Sequence, residues 1–164
     1  YLETPVAELV READTVTFCL SKGLSAPVGS VICGGRKSIE EARRWRKMLG
    51  GGMRQAGIIA AAGIVALQNM VDRLAEDHSN ARLISQGLSQ IPGIMHDPDT
   101  VQTNIVFFSV DPTVITLSEF VKRLNTEGVK CNQSDGRIRM VTHRHITASE
   151  VDATLVATTK AIGR

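Results

Sequence analysis

Aromatic side chains are scarce: one Trp, one Tyr and four Phe, 4% of 164 residues. Base stacking on aromatic platforms, a common way of holding single-stranded nucleic acid, has little material here. An excess of one charge is also missing. Nineteen Lys and Arg stand against seventeen Asp and Glu, a formal net charge of +2, too weak a field to point to nucleic acid or an anionic membrane. The longest apolar stretch, Ile58 to Leu67, falls short of the roughly 20 residues that a bilayer-spanning helix needs. The three cysteines, Cys19, Cys33 and Cys131, form no Cys-x-x-Cys pair. This argues against a disulfide framework or a cysteine metal site, and reduced thiols fit a cytoplasmic location. No signal-peptide pattern opens the chain. What is present, 43% hydrophobic and 22% charged residues, is ordinary soluble globular composition.

The order of predicted elements divides the chain. Pro5 followed by Val6, Leu9 and Val10 predicts a short helix with proline in its first turn. Thr15 to Leu20 and Val28 to Cys33 read as apolar strands around a loop, Ser21 to Pro27, and Gly34-Gly35 stops the second. Ser38 with Glu41 three residues on has capping-box spacing and predicts a helix to about Met48, ended by Gly50-Gly51-Gly52. A small-residue helix from about Arg54 follows. An amphipathic one is then expected over Asn69 to Leu88, with Val71, Leu74, His78, Ala81 and Leu88 towards one side.

Beyond Pro92-Gly93 the pattern changes. Strands are predicted at Asn104 to Val110 and Arg137 to Thr142, a turn and strand at Gly128 to Asn132, and helices at Leu117 to Thr126 and Thr147 to Ile162. Thr147 and Glu150 form a second capping-box pair. The β-α-β-β-α order predicts a small α/β sandwich with mostly antiparallel pairing. The expected boundary lies near residue 75, giving domains at 1–75 and 76–164.

Candidate chemistry concentrates in Phe18-Cys-Leu-Ser-Lys22-Gly-Leu-Ser-Ala-Pro-Val-Gly-Ser30. Lys22 sits at the end of a strand, beside a glycine that leaves room. A lysine that condenses with an aldehyde needs its amine neutral part of the time, which partial desolvation favours. Position alone also permits a plain strand-end lysine. Lys47 and Arg54 belong to a basic run with Arg36, Lys37, Arg43, Arg44 and Arg46 that could simply be a solvated helix face. Arg139 alternates with Ile138 and Met140, so it points to the opposite face of its strand, which it shares with Arg137. His143 and His145 share a strand face, with no third ligand at a familiar spacing. The three glycines at 50–52 lack the lysine spacing of a phosphate loop.

The runs FCLSKGLSAPVGS, RRWRKMLGGGMRQAG, EDHSNARLISQGL and IRMVTH, in that order over nearly the whole chain, resemble the low-specificity threonine aldolases, lyases of fold type I that depend on pyridoxal phosphate. One departure is Ser25, where the family usually has glycine; its small side chain predicts a minor effect. The resemblance implies an α/β fold, the C-terminal part of a large cofactor-binding domain followed by a small α/β domain. It implies that Lys22 carries the cofactor, that Arg54 binds its phosphate across a subunit interface, that Lys47 lies on the substrate side, and that Arg139 grips the substrate α-carboxylate. The planar fork of arginine suits that last task.

The implied reaction is cleavage of a β-hydroxy-α-amino acid, threonine or allo-threonine, to glycine and an aldehyde. A homodimer or homotetramer is implied, with no nucleic-acid or membrane partner. The resemblance also implies an aspartate for the pyridine nitrogen, a histidine stacked on the ring and a second carboxylate-binding arginine, all upstream of Tyr1. The 164 residues alone are therefore expected to be inactive. Other readings are a β-eliminating lyase of the same superfamily, a non-catalytic fragment or remnant, and nucleic-acid binding by the Arg-rich helix between Arg36 and Arg54.

Overall fold

The computed structural model describes residues 1–163. It divides into two compact units, Leu2–Arg73 and the chain from Leu74 onward. The division falls at the start of a helix, whereas the sequence suggested a boundary inside one.

In the first unit Pro5 opens α1 (Val6–Leu9). Strands β1 (Thr15–Cys19) and β2 (Ser30–Gly34) pair antiparallel, with Thr17 opposite Ile32 and Phe18 opposite Val31. Among the described residues they pair only with each other, so these apolar strands are largely exposed, Phe18 at 37%. Helix α2 (Arg36–Met48) begins two residues before the predicted cap. Extended Gly35 is its N-cap and accepts a hydrogen bond from the Ile39 N–H at 3.0 Å. Ser38 is already inside the helix and caps nothing. The close succession of β2 and α2 through a glycine pair decides this over the Ser38–Glu41 spacing.

Helix α3 (Gly57–Asn69) is rich in small residues. A small apolar cluster of Leu20, Ala26 and Ala66, flanked by Leu24 and Val31, is the core of this unit. Gly63 permits it, because a Cβ there would lie 3.0 Å from Leu20 Cδ1.

Ser25 sits in the left-handed region at φ 59°. Its departure from glycine is therefore a matter of backbone conformation, not of side-chain size. A non-glycine residue there costs about 1–2 kcal/mol, and glycine gives back about 0.4–1 kcal/mol through the unfolded chain. Ser25→Gly is thus expected to stabilise the unit by about 0.5–1 kcal/mol. Urea unfolding followed at Trp45, the single tryptophan, checks this. A lower midpoint would mean that the Ser25 Oγ bond to the Gly23 carbonyl, 3.4 Å, holds the turn more strongly than the backbone opposes it.

The second unit starts with α4 (Leu74–Leu88). The helix expected from Asn69 is interrupted, because Met70 makes the last helical bond of α3, to the Ala66 carbonyl at 2.9 Å. The break resets the helix phase: Asp77, Ala81, Ile84, Ser85 and Leu88 are buried, while Val71 is 49% exposed. The sheet then builds from β3 (Ile94–Met95), β4 (Ile105–Val110), β5 (Asn132–Ser134) and β6 (Arg137–Val141), in the order β3-β4-β6-β5. All its pairings are antiparallel. Helices α5 (Leu117–Thr126) and α6 (Ala148–Ile162) complete the unit.

The period-2 burial of β4 turns Val106, Phe108 and Val110 into one core, with Phe120, Leu124, Ile138 and Val151 among its buried members. Phe108 and Phe120 meet edge to face at 6.2 Å, a favourable arrangement of ring quadrupoles. Gly87 leaves the space that the Leu155 side chain fills between α4 and α6. The predicted Thr147–Glu150 capping box is present, with the Thr147 N–H donating to Glu150 Oε2 at 2.9 Å.

Where β3 leaves the sheet, the half-buried His96 fills in. Its Nδ1 lies 3.0 Å from the Phe107 carbonyl and its Nε2 2.6 Å from Ser85 Oγ. A neutral ring with the proton on Nδ1 donates to Phe107 and accepts from Ser85. Desolvation lowers its pKa below the ordinary 6.5, against the Phe107 hydrogen bond and Asp97, which raise it. A depressed folded-state pKa means that this contribution to stability is full above about pH 6.5 and lost as pH falls through the folded value. Amide protection of β4 should therefore drop between pH 7 and pH 5, and less so in His96→Gln. His78 shifts the same way, desolvation first, so an equal drop in the variant would assign the effect to His78.

Candidate active site

The strongest local geometry surrounds Lys22. Beyond β1, the Leu20 N–H donates to the Gly29 carbonyl at 2.9 Å and the Ala26 N–H to the Leu20 carbonyl at 3.0 Å. The buried side chains of Leu20 and Ala26 anchor both feet of this loop. The Ser25 N–H donates to the Lys22 carbonyl at 2.8 Å, closing a turn. Lys22 therefore rides on a closed, anchored loop with its amine exposed. A fixed backbone with an accessible amine suits a carbonyl-condensing lysine, whereas the partial desolvation expected of it is not found, since Lys22 is exposed.

Lys47 lies in the last turn of α2. Its stem runs along Gly52, where a Cβ would come within 2.6 Å of Lys47 Cδ, so any larger residue at 52 would move it. Arg54 is exposed in the turn before α3. These three belong to the first unit and Arg139 to the second.

Arg139 is half-buried on β6, directly across from Phe107 on β4 and Asn132 on β5. As the alternation predicts, it points away from buried Ile138 and Met140. Arg137 is separable from it in the structure, since its guanidinium lies over the Phe107 ring at 4.8 Å from the centroid. Sequence reasoning missed Phe107 and Asn132. Their alternation signal exists, but strand register is needed to bring them beside Arg139.

The chain belongs to the beta-eliminating lyase family. That family's profile matches residues 1–111. Low-specificity L-threonine aldolase 1 of Arabidopsis thaliana is 46% identical over 156 residues, which is 94% of this chain and 44% of that protein. The low specificity L-threonine aldolase of Escherichia coli K12 is 43% identical over 145 residues, 88% of this chain and 41% of that protein. The chain thus spans less than half the length of these relatives. Among solved structures, Sphingomonas wittichii serine palmitoyltransferase superposes with a TM-score of 0.75 at 20% identity, over 94% of this chain and 41% of that one. SPT holding PLP as its internal aldimine gives 0.70 at 19% identity, over 90% and 39%. At such identities the likeness speaks to the fold, and the fold is the one that the sequence resemblance implied.

Two other features of the second unit stand apart from these residues. The rings of His143 and His145 meet edge to face at 5.6 Å with the His145 N–H donating to His143 Nδ1 at 3.3 Å. Among the described residues no group of three His, Cys, Asp or Glu side chains could hold a metal. A cleft of about 390 Å³ lined by Val129, Met140, Thr142, His143, Ile146 and Glu150, among others, includes none of the four expected site residues. No single helix among the described residues is long and apolar enough to cross a membrane.

Proposed function

We propose that the protein cleaves threonine, allo-threonine or a related β-hydroxy-α-amino acid to glycine and an aldehyde, using pyridoxal phosphate. The observation that carries this reading is Lys22 on its anchored loop, within a chain 46% identical to a threonine aldolase. The donor set fits the cofactor: a primary amine for its aldehyde carbon at Lys22 and a guanidinium for its phosphate at Arg54. The cofactor, when bound, supplies the electron sink for breaking the Cα–Cβ bond.

This chain's residues supply the rest of the arrangement. Lys22 would hold the cofactor through its ε-amine. Arg139 takes the α-carboxylate through two parallel N–H bonds and so sets the substrate's orientation. Lys47, seated against Gly52, offers a positive charge on the substrate side. Assembly as a dimer or a dimer of dimers is part of the proposal. It is supported by the exposed apolar residues of α3, among them Ile58 at 82% and Ile64 and Val65 at 55% each, and it would bring Arg54 to a neighbouring site. The exposed, unpaired Cys19 and Cys33 suit a reducing, cytoplasmic compartment.

Product analysis of the cofactor-loaded, full-length protein tests the reaction. Glycine and acetaldehyde in equal amounts are expected from threonine. 2-Oxobutyrate and ammonia would instead select the β-elimination named in the family's description. Arg139→Lys keeps the charge but loses the fork, and KM for threonine should rise about tenfold while the cofactor stays bound. Unchanged kinetics would place the carboxylate on another residue.

A further inference from the structure

Arg137 and Arg139 leave the same face of β6 two residues apart, so their like charges are neighbours on the surface. Left to itself, a second guanidinium beside Arg139 would either push it aside or compete with it for a carboxylate. The structure avoids both. Arg137 leans across to β4 and lies on the ring of Phe107, 4.8 Å from its centroid. Phe107 is the direct cross-strand partner of Arg139, and Asn132 is its partner on the other side. The Phe107 backbone is held as well, since its carbonyl lies 3.0 Å from His96 Nδ1, just beyond β3.

Resting on the reading that Arg139 receives the substrate carboxylate, we propose that Arg137, Phe107 and Asn132 are positioning residues that form a cross-strand bracket around Arg139. Cation–π attraction keeps Arg137 on Phe107. The ring, so covered, becomes a wall on one side of the Arg139 stem, and Asn132 bounds the other. A guanidinium confined in this way loses less rotamer freedom when it closes on a carboxylate, which strengthens binding without touching the bond that breaks. The bracket therefore acts on KM and leaves kcat alone.

The test compares Arg137→Gln, Arg137→Lys, Phe107→Leu and Arg139→Lys in the full-length, cofactor-loaded protein. Arg137→Gln removes the cation from the ring, and KM for threonine should rise about two- to fivefold with kcat within about twofold, the size of one such contact. Arg137→Lys retains a cation for the ring and should recover most of that loss. Phe107→Leu removes the wall and should raise KM at least as much, which keeps the test open if Arg137→Gln fails to fold. A second readout needs no turnover: the Nε–Hε NMR signal of Arg139, sharp in the parent chain, should broaden in Arg137→Gln and in Phe107→Leu. If Arg139→Lys raises KM and the Arg137 and Phe107 variants do not, the bracket is wrong and the assignment of Arg139 stands. If Arg139→Lys leaves KM unchanged, the assignment itself fails and the bracket with it.

Discussion

Lys22→Ala is expected to abolish both turnover and the absorbance of bound pyridoxal phosphate. On the proposed reading the Lys22 amine condenses with the cofactor, and alanine supplies no amine at that place on the loop between Leu20 and Ala26. The parent protein should be yellow. Borohydride reduction followed by trypsin should then yield the cofactor on a peptide running from Glu12 to Arg36, because a modified Lys22 is no longer a cleavage site. Cofactor recovered on the segment around Lys47 would sink the assignment. The fold of the variant should be intact, since the amine is exposed and the anchors of its loop are backbone bonds and the buried Leu20 and Ala26. Unchanged β1–β2 amide exchange in Lys22→Ala would separate loss of chemistry from loss of structure.

Limited proteolysis is expected to distinguish the two units sharply. Within Leu2–Arg73 the buried apolar residues are Leu20, Ala26 and Ala66, and Trp45, Met48, Leu49 and Ile58 are all more than half exposed. The unit from Leu74 onward buries a continuous core drawn from α4, β4, α5, β6 and α6, with Val106, Phe120, Leu124 and Ile138 at 0% exposure. Local opening follows the density of buried apolar contacts, and cleavage of an opened state follows its population. Trypsin should cut first at the exposed Lys22, Lys37, Arg43 or Arg54 and leave a resistant fragment starting near Leu74. A surviving fragment centred on residues 15–69, with the region around Phe120 degraded, would overturn this ordering of stabilities.

Most of the element order was legible from local patterns. The alternation through β4, the helix α5 and the Thr147–Glu150 box all depend on residues a few positions apart, so sequence spacing reports them directly. The errors share a physical cause in backbone conformation, which residue spacing does not report. Ser38 and Glu41 have the right spacing for a cap, but the turn from β2 through Gly35 had already started the helix. Asn69 to Leu88 reads as one amphipathic helix until the backbone breaks after Met70 and the apolar stripe changes phase. Ser25 looks harmless by side-chain size because φ is invisible in a one-letter code.

What the sequence determined by itself was the chemistry available: a lysine in a distinctive loop, an arginine alternating with core residues, and the family to which both belong. Residue type and near spacing suffice for that, because amine, guanidinium and strand alternation are local properties. Only the tertiary structure decided how these groups are held. The loop of Lys22 is closed by bonds between Leu20 and Ala26 and between Leu20 and Gly29. Arg139 stands between Phe107 and Asn132, and Arg137 is drawn off onto an aromatic ring. Those relations join residues up to about 30 positions apart through antiparallel register, and register is set by which side chains can share one buried face.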